Sequence, residues 1–262
     1  MDLLTQPNVL AALLTALLAA VIFYFLMGRP ATPSAPPPSA SQSAVARAAR
    51  GAVLLCGPSG GGKTTLFHRL AFGRAVDTLP SMVQMAVHAR LHGARSDAPP
   101  LKLMDYPGAP QLRASLLRSA RECSGVVLVL DLAGAAEHVA GAADVLYDLL
   151  TDGAVARRAP RLLVAANKAG APGARSEAQL RALLEAELER LRGTRGALTQ
   201  AGDEGGALKD APAAEAAVPL GRRGEKFMLE DSPLRVEWVA CEGVSEDGAE
   251  AVREFIAEAA SG

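Results

Sequence analysis

The chain has 262 residues and a formal net charge of −1, which allows one substantial domain with additions and lacks the positive excess of a nucleic-acid binder. Its 3 cysteines, Cys56, Cys123 and Cys241, lie far apart without the C-x-x-C or Cys/His spacing of a zinc site, and read as reduced, buried thiols of a cytosolic domain. His68, His88, His92 and His138 are equally scattered and read as ordinary structural residues.

Residues 9–27, VLAALLTALLAAVIFYFLM, run without a charged side chain. That length is close to the roughly 20 residues a helix needs to cross a bilayer, so one transmembrane helix is expected. A cleaved signal peptide is the rival reading. Against it, Asp2 and no Lys or Arg precede the run, and the run is longer than the roughly 7–15 apolar residues of a signal. Arg29, Arg47 and Arg50 follow, so the positive-inside rule places residues 1–8 across the membrane and the rest in the cytosol. Residues 28–50 are rich in Pro, Ser and Ala and read as an extended tether.

From residue 51 to 262 apolar strand-like runs alternate with amphipathic helical runs, the pattern of a mostly parallel six-stranded sheet with helices on both faces. Strands are expected at 52–56, 82–91, 101–104, 126–131, 162–166 and 236–239, and helices at 63–71, 110–123, 136–150, 177–192 and 246–260. Leu180, Leu183, Leu184, Leu188 and Leu191 recur at spacings of three and four and are expected on one core-facing stripe. Between about 193 and 224 no period is visible, which reads as a low-complexity insert.

GPSGGGKT, residues 57–64, fits G-x-x-x-x-G-K-[ST] between a strand and a helix. In that context the backbone of Gly57, Pro58, Ser59, Gly60, Gly61 and Gly62 cradles phosphates at a helix N-terminus. Lys63 bridges the outer phosphates, and the Thr64 hydroxyl serves Mg²⁺. Asp105, ending the apolar strand of LKLMDYPGAPQLR, is expected to support the metal through water, with Gly108 sensing the terminal phosphate at the head of a switch segment. Asn167 and Lys168 of RLLVAANKAG end another buried strand, where Lys168 can lie along a base and Asn167 can tie the loop to the phosphate cradle.

Taken together these motifs resemble the small GTPases, and in particular the β-subunit family of the signal recognition particle receptor of the endoplasmic reticulum. The resemblance spans nearly the whole chain. It includes the N-terminal anchor, residues 57–64, DYPGAPQLR for the family's D-x-P-G-H-x-x-L-R, VLYDLL, NKAG for its N-K-x-D, and LERLRGTRGAL followed after the insert by LGRRGEKFMLEDSPLRVEWVAC. It implies a P-loop small-GTPase-like α/β domain behind a single membrane helix with a short lumenal N-terminus, and GTP with Mg²⁺ as cofactors. Thr65, Thr78, Ser81 and Gly243 complete the nucleotide contacts. The implied partners are the receptor's α subunit and, indirectly, ribosome–nascent-chain complexes and the translocon.

The departures fall on base recognition and water activation. Gly170 stands where the family has the Asp that accepts hydrogen bonds from guanine N1 and N2, and the family's C-S-A turn is here Cys241, Glu242 and Gly243, making Glu242 a candidate substitute acceptor. Ala109 replaces the His or Gln that orients the attacking water, so intrinsic hydrolysis is expected to be slow or absent. Pro80 aligns with a metal-contacting Thr, with Ser81 beside it. Three readings remain at this point: a nucleotide-dependent binding module, a GTPase completed by a partner-supplied residue, and a degenerate anchor with optional nucleotide.

Overall fold

The computed structural model describes residues 51–78, 81–134, 136–203, 217–222 and 224–261. The expected anchor and tether, and Pro80, lie outside the described residues. Among the described residues no helix is long and apolar enough to cross a membrane.

The sheet is built around β1 (Ala52–Cys56) and β4 (Gly125–Asp131), every residue of which is buried. Continuous apolar runs of this kind belong to central parallel strands covered on both faces. With β2 (Met85–Ala89), β3 (Leu101–Asp105), β5 (Arg161–Asn167) and β6 (Val236–Ala240), the order is β2-β3-β1-β4-β5-β6. All pairs are parallel except β2 with β3. Successive side chains of β1 point to opposite faces. Val53 and Leu55 meet α1 (Lys63–Phe72) and α6 (Glu250–Ser261) through Leu66, Leu70, Val252 and Ile256. Leu54 and Cys56 face the other layer, which holds α2 (Arg113–Ala120), α3 (Ala136–Thr151) and α5 (Glu177–Asp203).

Several expected boundaries move, each for a tertiary reason. β2 is shorter than the run 82–91 because its partner β3 offers only the register from Met85↔Asp105 to Ala89↔Leu101; Met82 and Val83, beyond it, are exposed. Leu180, Leu184, Leu188 and Leu191 form the buried stripe, whereas Leu183 is 44 % exposed and lies off the core. A short helix that no period announced, α4 (Gly153–Arg158), follows α3.

Of the expected insert, residues 204–216 lie outside the described residues, while its two flanks are ordered. α5 continues to Asp203, supported by Arg195 pairing with Asp144 at 2.6 Å and with Asp148. On the return, Val218 N donates to Thr151 O at 2.8 Å, and Leu220, Phe227, Leu229 and Leu234 are buried against the α5 leucines. Carboxylates of α5 satisfy the incoming backbone: Glu189 accepts from Phe227 N at 2.8 Å and Glu185 from Leu229 N at 3.3 Å. Arg192 donates to the carbonyls of Arg222 and Glu225.

All three cysteines are free and buried, and burial pushes each thiol up to about 12, which keeps them unreactive.

Asp152 caps α4, accepting from Ala154 N at 3.0 Å and Val155 N at 2.9 Å, and pairs with Arg121 at 2.8 Å. Burial acts to raise its carboxyl, but Arg121 and those two amides outweigh it and hold the group below the usual carboxylate range. Asp152→Ala is therefore expected to lower stability by about 1 kcal/mol or more. A depressed folded pKa contributes stability that is complete above the unfolded value and lost as pH falls through the folded one. The gap between wild type and Asp152→Asn in urea melts should accordingly close on acidification.

Candidate functional site

β1 ends at Cys56 and the chain turns through residues 57–62 into α1. Gly62, at the N-cap, has φ 87° and its side carries Asn167: a Cβ there would fall 2.3 Å from Asn167 Nδ2. Only glycine meets both demands. No side chain caps α1, which leaves first-turn N–H groups, and the positive end of the helix dipole, for an anion.

Lys63 is buried, and its ammonium reaches back over the loop to donate to Pro58 O at 2.7 Å. Burial lowers its pKa, opposed chiefly by the charge of Asp105. Thr64 Oγ1 donates to Asp105 Oδ2 at 2.6 Å, while Asp105 Oδ1 is buried without a hydrogen-bond partner among the described residues. Burial raises the Asp105 carboxyl, against the Thr64 hydroxyl and the charges of Lys63 and His68. An unsatisfied buried carboxylate oxygen beside a threonine hydroxyl is a hard-oxygen donor set that fits Mg²⁺ with its waters.

Ser59, Gly60, Gly62, Lys63, Thr64, Thr65, Thr78, Ser81 and Gly108 line one cavity of about 380 Å³. Gly57, Pro58 and Gly61 shape the loop without lining it, and Asp105 stands behind Thr64. Thr65 Oγ1 donates to Val76 O at 3.2 Å, fastening α1 to the segment that carries Thr78. Gly108 presses against the loop so closely that a Cβ would meet Ser59 N at 2.5 Å, so this position tolerates no side chain without displacing the cradle.

A second cavity of about 330 Å³ shares Gly62, Thr65, Lys168 and Val244 with the first and is completed by Asn167, Gly170, Ala171, Glu242 and Gly243. Asn167 is 3 % exposed; its Nδ2 donates to Gly61 O at 2.9 Å and its Oδ1 accepts from Gly243 N at 2.8 Å. Lys168, with φ 62°, donates to Gly60 O at 3.0 Å and to Asp131 Oδ2 at 2.6 Å. Asp131 was not singled out from sequence, although it ends the apolar strand β4 just as Asp105 ends β3. Val76 and Val244 carried no sequence signal.

The two joined cavities, at the C-terminal edge of a parallel sheet with a glycine-rich loop running into a helix, define a P-loop protein with the α/β fold of the small GTPases. The *Trypanosoma brucei* Arl6 BBS3 small GTPase shares that fold at a TM-score of 0.52 and 17 % identity, covering 80 % of this chain and 96 % of that one. More specifically, a family model for the signal recognition particle receptor beta subunit matches residues 48–236. The chain belongs to this family. Receptor subunit beta of *Mus musculus* is 32 % identical over 238 residues, 90 % of this chain and 78 % of that protein. The *Homo sapiens* subunit is 33 % identical over 196 residues, 74 % and 69 % respectively. The solved structure of the mammalian SRP receptor superposes with a TM-score of 0.62 at 29 % identity, over 79 % of this chain and 99 % of that one.

Because the buried Asp105 has its pKa raised, its ionised form weighs against the fold at neutral pH and the penalty disappears once it is protonated. Asp105→Asn is thus expected to leave the ligand-free Tm unchanged or higher at pH 7. That advantage should vanish as pH falls below the folded pKa, as differential scanning calorimetry across pH will show.

Proposed function

We propose that this chain is a membrane-anchored receptor subunit that binds GTP with Mg²⁺ and in that state holds the receptor's α subunit. Residues 9–27 would fix it to the endoplasmic reticulum membrane with the 51–262 domain in the cytosol, where the receptor helps dock ribosome–nascent-chain complexes at the translocon. The carrying observation is the buried Asp105, paired with Thr64 and with one oxygen unsatisfied, beside a loop that presents Lys63 and an uncapped helix N-terminus. Each feature is costly in a bare fold and is offset by a polyphosphate and a divalent ion. Relatives support the reading: solved structures from *Chaetomium thermophilum* include an SRb–GTP/SRX complex, with a TM-score of 0.57 and 25 % identity, and SRb–GDP–Mg, with 0.56 and 26 %.

In this reading the amides of Ser59, Gly60 and Gly62 and the Lys63 ammonium hold the phosphates. Thr64, backed by Asp105, would hold the ion, which supplies charge neutralisation between phosphate oxygens. Thr78, Ser81 and Gly108, which line the same cavity, sense the terminal phosphate and change the surface offered to the α subunit. Ala109 brings no group able to orient water, so the nucleotide acts as a clasp that is hydrolysed slowly.

Fluorescent GTP titrated against the full-length protein in detergent should bind in a Mg²⁺-dependent way. Lys63→Ala is expected to weaken binding by about a hundredfold, since charge-assisted contacts to phosphate are lost, and to reduce α-subunit capture in parallel. Asp105→Asn should flatten the Mg²⁺ dependence. Equal α-subunit capture by Lys63→Ala in the absence of nucleotide would sink the proposal. Single-turnover hydrolysis by the isolated chain should be slow, and acceleration by the α subunit would point instead to a partner-completed enzyme.

A further inference from the structure

Resting on the nucleotide reading above, we infer that Glu242 supplies the carboxylate that reads the base, from the loop after β6 rather than from the loop after β5. Gly170 N donates to Glu242 Oε2 at 3.0 Å, and a Cβ built on Gly170 would meet that same oxygen at 3.2 Å. The carboxylate therefore occupies the space into which a side chain at position 170 would project. Glu242 is the sole carboxylate lining the second cavity among the described residues, and its Oε1 has no hydrogen bond among them.

The loop is built to hold that group still. Glu242 N donates to Gly248 O at 3.1 Å, and Glu242 O accepts from Ser245 N at 3.0 Å. Gly248 packs so tightly that a Cβ there would come within 2.6 Å of Glu242 Cβ. The neighbouring Gly243 amide is tied to Asn167. The base-facing carboxylate is thereby registered to the same amide that fixes the phosphate loop.

An ionised carboxylate only accepts hydrogen bonds. Guanine offers it two adjacent donors, N1–H and the 2-amino group. Adenine offers one amino donor beside the N1 lone pair, which a carboxylate repels. Glu242 therefore selects guanine over adenine, and the 2-amino group accounts for part of that selection.

Full-length protein in detergent, titrated with GTP, ITP, XTP and ATP in Mg²⁺, tests this. Wild type should prefer GTP to ITP by about tenfold to a hundredfold, the range expected for one hydrogen bond to a charged acceptor, and should disfavour ATP further. Glu242→Gln, whose amide can both accept from N1–H and donate to the xanthine 2-oxygen, should lose the GTP/ITP ratio and gain XTP. The double variant Glu242→Ala with Gly170→Asp moves the carboxylate to a backbone position without a positive φ, and should restore guanine preference. A GTP/ITP ratio unchanged in Glu242→Gln, with GTP still bound, overturns the inference and leaves the nucleotide reading intact. No binding of any nucleotide by wild type overturns both.

Discussion

The side-chain amide of Asn167 joins three loops that the sheet alone would leave independent. It donates to the phosphate loop after β1 at Gly61 O and accepts from the loop after β6 at Gly243 N, while its own backbone ends β5 and accepts from Leu132 N. Buried, with both its oxygen and its nitrogen bonded, it makes the spacing of the two cavities a property of one rigid group. A half-satisfied network at this depth is worse than an apolar one, so the glycines that let the backbone approach are part of the same constraint. Gly62 leaves room for the amide.

Around that tie the molecule holds charge where a bare fold would not. Lys63 and Asp105 are both buried, each displaced from its ordinary pKa by burial first. The Thr64 hydroxyl and the mutual attraction of the pair offset only part of this. At these residues fold stability competes with the binding chemistry proposed above.

Where the sequence was legible, a single local feature determined the outcome. The apolar run of β1 followed by GPSGGGKT is enough to position Lys63 and Thr64, and the run of β4 needs no context because both its faces are buried. Legibility fails where a partner decides. β2 stops with the end of β3 rather than with its own apolar pattern. α5 passes through Gly193 because Arg195 finds Asp144 and Asp148 on α3. Leu183 sits at the margin of its stripe and loses to its neighbours. The contact between Gly170 and Glu242 links residues far apart in the chain, so no spacing rule announces it; only the likeness to the family's C-S-A turn made Glu242 a candidate, and the structure adds that its carboxylate accepts from Gly170 N.

The clamp that α5 places on the returning chain has a further consequence. Glu185, Glu189 and Arg192 hold the backbone of residues 222–229 from one side, and Val218 is fastened to Thr151. α5 therefore does two tasks at once: its leucines cover one face of the sheet and its polar side chains guide the chain towards β6, so a change that bends the helix disturbs both.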